Sequence, residues 1–344
     1  VSAGVTDNPA PPRLPAEWEP AAAVWIAWPH NRETWPGRFS RLPDFYARWV
    51  RRLAEVLPVR ILAAGDAAQS AEALLGSQAN VELVAIPTND CWVRDYGPSF
   101  IRCGDTLRAI AWRFNAWGGK YPPWDQDDLA AERISRHLGL ACQQSDICLE
   151  GGAIESDGRG RLLTTPCLLT KSRNPSVSKE GIAEALHKFL GITEIAWIDG
   201  GGLDGDDTDG HIDQLARFID PENVVAAVSD DLDDPNRSGL QTNYRQLEIW
   251  GSSTAPAVQI HRLPIPPARF IDGSRVPESY CNFLRLGDQC LMVPTFGCKK
   301  SDDHALSLLG ELTGDRQVIG VDCRDLIWGL GALHCASLNQ PQVI

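Results

Sequence analysis

No two cysteines in this chain stand at C-x-x-C spacing, although ten occur among its 344 residues. A zinc ribbon and a dithiol redox motif are thereby excluded, and thiols this dilute do not form a disulfide scaffold. Reduced thiols and a cytoplasmic setting follow as the expectation. No apolar run approaches the roughly 18 residues a membrane-spanning helix needs. Surplus positive charge is missing too: 32 Lys and Arg stand against 45 Asp and Glu, a net charge of −13, which a phosphate backbone would repel. Neither a nucleic-acid nor a membrane partner is expected, whereas a small cationic ligand suits the balance. The run from Val1 to Pro12 lacks a basic stretch leading into an apolar one, so it does not read as a signal peptide. No Pro-, Gly- or Ser-rich linker divides the rest. A single domain over residues 1–344 is expected, with 1–13 as a flexible lead-in.

What is present is an alternation of two periodicities. Apolar spacing predicts helices over 44–57, where Phe45, Trp49, Leu53 and Val56 share a face, and over 67–75, 127–138, 178–190, 238–250 and 303–313. Gly139, Gly191 and Gly314 stand where three of these should stop. Strand-like runs lie between them at Val59–Ala63, Val81–Ile86, Arg108–Phe114, Leu162–Thr165, Glu194–Ile198, Val224–Val228, Val258–Leu263, Cys290–Val293 and Val318–Val321. The class is therefore α/β. Short segments bearing glycine or charged and polar groups recur among these elements: 92–98, 150–155, 210–213, 279–282 and 333–335. Their separation of roughly 50–70 residues is what a ring of about five related units would give, with the polar segments meeting at its centre.

Those segments hold the residues able to do chemistry. Cys335 follows His334 in a glycine-loosened, polar-flanked stretch, unlike the other nine cysteines, and a thiol is a nucleophile only as thiolate, which needs exposure and nearby positive charge or donors. In Asn89-Asp-Cys-Trp-Val-Arg-Asp-Tyr-Gly-Pro98, charged residues alternate with aromatic ones, and a buried Asp95 would need a cationic partner, which a ligand can supply. The run Asp204-Gly-Asp-Asp-Thr-Asp-Gly-His-Ile-Asp213 fails the EF-hand spacing. If 211–213 is extended, His211 and Asp213 share one face; a metal site using His211, Asp213 and Asp209 is the competing reading. Glu150 precedes Gly151-Gly152, where backbone or ligand can approach closely. One thiol, one histidine, several carboxylates and Trp92 and Trp117 suit attack on a planar cation: carboxylates accept the forked N–H groups of a guanidinium, and indoles stack on it.

Taken in order, Leu14-Pro-Ala-Glu-Trp-Glu-Pro20, Trp25-Ile-Ala-Trp-Pro29, Asn89–Pro98, Phe114-Asn-Ala-Trp-Gly-Gly119, Leu149-Glu-Gly-Gly152, Thr208-Asp-Gly-His-Ile-Asp213 and His334-Cys335 resemble the agmatine deiminase and bacterial-type peptidyl-arginine deiminase family, nearly end to end. The resemblance implies a five-bladed pseudo-symmetric α/β propeller of ββαβ units around a central active site. It also implies a reaction without metal or other cofactor, passing through a covalent amidino-cysteine. Cys335 would be the nucleophile, His211 the acid and then the base, and Glu150 the active-site glutamate. Asp95 and Asp213 would hold the guanidinium, Trp92 would form a pocket wall, and Asp207 would lie near the far end of the substrate. Agmatine is the leading substrate, with peptidyl-arginine, another guanidine, or binding of a cation without catalysis as alternatives; a homodimer is compatible. Two departures stand out: Asp207 replaces a usual glutamate, and the segment around Cys335 reads Gly331-Ala-Leu-His-Cys-Ala-Ser-Leu-Asn339.

Overall fold

A computed structural model describes residues 10–314 and 317–343. Five of its sheets repeat one pattern, an antiparallel strand pair followed by a helix that returns the chain to a parallel third strand. Ser99–Cys103, Thr106–Arg113 and Cys142–Cys148 form one; Ile154–Ser156, Arg161–Thr164 and Glu194–Trp197 the next; then Ala216–Asp220, Asn223–Val228 and Gln259–Pro264; then Leu284–Leu286, Cys290–Thr295 and Gln317–Asp322. The remaining sheet joins the two ends of the chain. Ser337–Pro341 pairs antiparallel with Ala21–Ala27, which continues in parallel to Val59–Leu62 and Val81–Val84.

The returning helices form for local reasons. Leu42–Ala54 buries Leu42, Phe45, Tyr46, Trp49, Val50 and Leu53 along one stripe, the apolar spacing that a helix on a sheet requires. Lys179–Leu190 starts at Ser178, whose side chain accepts from Gly181 N, and stops at Gly191 in the left-handed conformation, φ 72°. No helix among the described residues is long and apolar enough to cross a membrane.

Every predicted helix is present with ends moved by a few residues, as are the predicted strands. The lead-in expected over 1–13 lies outside the described residues up to residue 9, and its last part is not free: Pro12 and Arg13 pair with Cys103 and Arg102 as an edge strand. The segment around Asp95 is a single helical turn, Val93–Tyr96. Its tight local geometry comes from the Tyr96 hydroxyl donating back to Asp90 O at 2.8 Å. Likewise 211–213 is not extended: Ile212–Gln214 is a turn of 3-10 helix.

One rule of this architecture places the chemistry. Each recurring polar segment immediately precedes the first strand of an antiparallel pair, before Ser99, Ile154, Ala216, Leu284 and Ser337 respectively. All five arrive as tight turns at the same end of their sheets.

Candidate active site

The five turns touch one another in a closed cycle. Gly152 N donates to Asp95 Oδ1 at 2.9 Å. Next, His211 Nε2 faces Glu150 Oε2 at 3.7 Å. Ser279 Oγ donates to Gln214 O at 2.7 Å, and Asn282 Nδ2 lies 3.0 Å from Cys335 Sγ. Arg94 N donates to Cys335 O at 3.3 Å and completes the circuit. Glycine makes the centre possible. A Cβ on Gly152 would stand 2.7 Å from both Asp95 Oδ1 and His211 Nδ1 and 3.1 Å from Asp213 Oδ2, so the three groups crowd about a spot that only a hydrogen atom can occupy.

Every titratable group here is buried, and the partners decide its charge. Burial works against an ionised Asp213, but the hydrogen bond and charge of His334, 2.7 Å from Oδ2, together with His211 and Arg217, hold it below the usual carboxylate range. Asp95 is hydrogen-bonded only by dipoles, Trp117 Nε1 at 2.8 Å and Gly152 N, with His211 Nδ1 further off at 3.6 Å. Burial and the neighbouring Asp213 and Glu150 push it up to about 6, against the pull of His211 and Trp117. Glu150 is kept low despite burial by His211 and by Arg173, whose Nε donates to Oε1 at 2.7 Å. Burial would lower His211, yet Asp95, Glu150 and Asp213 together raise it to about 9. The Cys335 thiol is pushed well above its ordinary value by burial and by Asp213 and Asp95, with the Asn282 amide opposing. The sequence reading placed an exposed thiol beside positive charge. In the resting protein the opposite holds, because Cys335 is 5% exposed and its sulfur faces the carboxylates of Asp213 and Asp95.

Several polar atoms at this floor have no hydrogen-bond partner among the described residues: Asp213 Oδ1, Glu150 Oε2 and both ring nitrogens of His211. Buried polar atoms are nearly always satisfied, and their clustering around one thiol marks a place built for a ligand. Above the floor opens a cavity of about 790 Å3, lined near Cys335 by Trp92, Asp95 and Trp117 and further out by Asp90, Lys120, Tyr121 and Asp207. Trp117 reaches Asp95 from a strained loop in which Ala116 and Trp117 have φ of 50° and 55°, side-chain residues held in the left-handed region at a cost of about 1–2 kcal/mol each. Asn115 secures that loop by accepting from Gly118 N and donating to Ser172 O.

Residues 13–341 match the model of the Porphyromonas-type peptidyl-arginine deiminases. The chain belongs to that family. An agmatine deiminase of Pseudomonas aeruginosa is 34% identical over 96% of this chain and 95% of its own. Among solved structures, the agmatine deiminase of Enterococcus faecalis superposes with a TM-score of 0.89 at 29% identity, covering 97% of this chain and 96% of its own. That of C. jejuni, solved with substrate bound, gives 0.89 at 29%, covering 97% of each. At the level of fold alone, an amidinotransferase from Microseira wollei is similar, with a TM-score of 0.53 at 13% identity.

Within this deiminase-family chain, Cys335, His211, Glu150, Asp95 and Asp213 converge on one buried cluster, and Cys335 and Asp95 line the cavity above it together with Trp92, Trp117 and Asp207. His211 and Asp213 meet because the 3-10 turn curls them together, not through an extended strand. Asp209 does not join them: its carboxylate is taken by Arg173 Nη1 at 2.6 Å and Lys120 Nζ at 2.9 Å. Among the described residues no group of three or more His, Cys, Asp and Glu is disposed to hold a metal ion. Sequence reasoning assigned no role to Arg173, which lies in a loop without periodicity. Nor did it assign one to Asn282, Glu17 or His334, although each falls in a segment that it singled out.

Proposed function

We propose that this chain hydrolyses the guanidinium group of agmatine to a ureido group and ammonia, through a covalent amidino-cysteine on Cys335. One observation carries it: an uncharged thiol and unpartnered acceptors of Asp213 and Glu150 surround a buried centre. A guanidinium brings five N–H donors and one positive charge to such a place. Seated between Asp95 and Asp213, the cation reverses the field at Cys335 Sγ, and the thiol proton is released to solvent as substrate binds. The thiolate attacks the guanidinium carbon. The S–C bond forms, a C–N bond breaks, and protonated His211 gives its proton to the departing ammonia. Neutral His211 then takes a proton from water and the hydroxide adds to the same carbon; as the C–S bond breaks to return the thiolate, the new hydroxyl gives its proton to solvent and becomes the ureido carbonyl.

The outer cavity favours agmatine over arginine. Its two cations are already engaged, Lys120 by Asp209 and the Asp207 carbonyl, and Arg275 by both oxygens of Asp234 at 2.6 and 2.9 Å. Lys300 lies exposed on the helix Lys299–Thr313, away from the cavity lining. A substrate carboxylate finds no free partner there, whereas a terminal amine meets Asp207 and Asp90. Assayed for ammonia and ureido product, agmatine is expected to exceed arginine and peptidyl-arginine by about 10²-fold in kcat/KM. Binding of agmatine with no turnover of any guanidine would reduce the protein to a cation-binding relative of these enzymes.

The profile of kcat/KM against pH tests the roles of two groups. Asp95 must be ionised to hold the cation, so activity is gained as pH rises through its value of about 6. His211 must be protonated to release ammonia, so activity is lost as pH rises through about 9. A bell with these two limbs is expected, and a flat profile over that span removes both residues from their roles.

The same reading includes a five-bladed α/β propeller as a single deiminase domain, supported by the repeated strand pair, helix and third strand and by the closed cycle of turns. A cytoplasmic location is supported by the ten cysteines, all free.

A further inference from the structure

Glu17 precedes the first strand of the end-joining sheet, yet its carboxylate lies beneath the site floor. Oε1 accepts from Arg94 Nη1 at 2.8 Å and faces His334 Nε2 at 2.9 Å, while Oε2 accepts from Arg217 Nη2 at 2.7 Å. The other ring nitrogen of His334 stands 2.7 Å from Asp213 Oδ2. An ionised carboxylate only accepts, so the two carboxylate oxygens call for a hydrogen on each ring nitrogen. The backbone fixes this ring in place, since His334 N donates to Asn282 Oδ1 at 3.1 Å and the same oxygen accepts from Cys335 N at 3.3 Å.

We propose that Glu17 and His334 are positioning residues for the reaction: Glu17 holds His334 as an imidazolium, and His334 keeps Asp213 ionised with Oδ1 free to meet the guanidinium beside Cys335. The site contains its own comparison. Asp95 and Asp213 share one buried centre, but the close partners of Asp95 are a tryptophan N–H and a peptide N–H, whereas Asp213 touches an imidazole ring braced from behind by a second carboxylate. His211 Nδ1 stands 3.6 Å from Asp95 Oδ1, yet Asp95 is pushed up to about 6, whereas the braced Asp213 lies below its ordinary value. Without that cation, three buried carboxyls would share His211, Arg173 and the longer-range pull of Arg217, and a proton would settle on Asp213 in the pH range where the enzyme works.

The inference rests on the deiminase reading, and agmatine turnover by the wild type checks that reading separately. The charged groups that bear on this network are Arg94, Arg217 and His334 around Glu17, with Glu155 on the far side of Arg217, and His334, His211 and Cys335 around Asp213. Glu17→Gln preserves shape and removes one charge. The acid limb of kcat/KM for agmatine is expected to move up by about one pH unit or more, with activity near pH 6 down about 10- to 100-fold and largely regained near pH 8. His334→Asn keeps an N–H where Nδ1 stood but carries no charge, and the same displacement of the limb is expected. A uniform loss at all pH values, or a limb that stays in place, overturns the proposal by reducing the pair to structural support. Nitrogen NMR of histidine-labelled wild type reads the ring directly, whatever the variants do. Two protonated ring nitrogens on His334 at neutral pH are expected, and a neutral tautomer overturns the proposal even if agmatine is turned over normally.

Discussion

Replacing Cys335 with alanine lowers agmatine turnover by about 10⁴-fold or more while shifting the thermal midpoint by only a few degrees. The size of the loss follows from the lack of any substitute nucleophile: among the described residues that line the cavity, Cys335 is the one cysteine. The small effect on stability follows from what the sulfur touches. Its polar contacts are the Asn282 amide at 3.0 Å and Asp213 Oδ2 at 3.5 Å. Asn282 keeps its bonds to the backbone of residues 334 and 335 when the thiol is gone. Wild-type protein quenched in acid during turnover should carry, on the peptide containing Cys335, the mass of agmatine less ammonia; the alanine variant should carry nothing. Near-normal turnover by the variant would place the nucleophile elsewhere and end the proposed mechanism.

Gly152→Ala is the second large effect, expected to reduce kcat/KM by about 10²-fold or more although no ionisable group is altered. A methyl there would stand 2.7 Å from Asp95 Oδ1 and His211 Nδ1 and 3.1 Å from Asp213 Oδ2. None of these is the end of a long exposed side chain that can swing aside. Room is made only by spreading the groups that hold the guanidinium and move its protons, and a misplacement of about 1 Å costs about 10²-fold in rate. Overpacking should cost stability as well, about 1–3 kcal/mol, so steady-state kinetics must be paired with a melting curve on the same protein. Activity within threefold of wild type would show that the three groups need not converge for turnover.

The helices and most of the later strands were legible because their burial is one-sided and apolar; of the later strands, Ala21–Ala27 and the largely exposed Cys142–Cys148 were not. The periodicity in 44–57 and the run Val224–Val228 are direct records of a core-facing surface. The first strand of each antiparallel pair was not legible, and the reason is physical. Each carries a polar residue that points into the protein: Arg102, Glu155, Arg217, Arg285 and Gln340 are all buried. Glu155 and Arg217 pair at 2.8 Å, and Gln340 accepts from Trp25 Nε1 at 2.9 Å. A charge inside breaks the alternation by which strands are recognised. The site residues were found through glycines and charges in recurring segments, a signal that survives without alignment. What held them in place went unassigned, because Glu17 and Arg173 act across distances of sequence that no local pattern spans.

The strand that joins the chain's two ends also sets when the enzyme can first act. Trp25 and Gln340 are hydrogen-bonded across 315 residues of sequence, and Cys335 stands two positions before the strand Ser337–Pro341 that makes this junction. During synthesis, the sheets between can assemble from neighbouring segments. The thiol and the sheet that steadies it come together only after nearly every described residue has left the ribosome. Pairings this remote are made late. Chains interrupted before His334 lack both the thiol and the ring that touches Asp213 at 2.7 Å, and should turn over no guanidine.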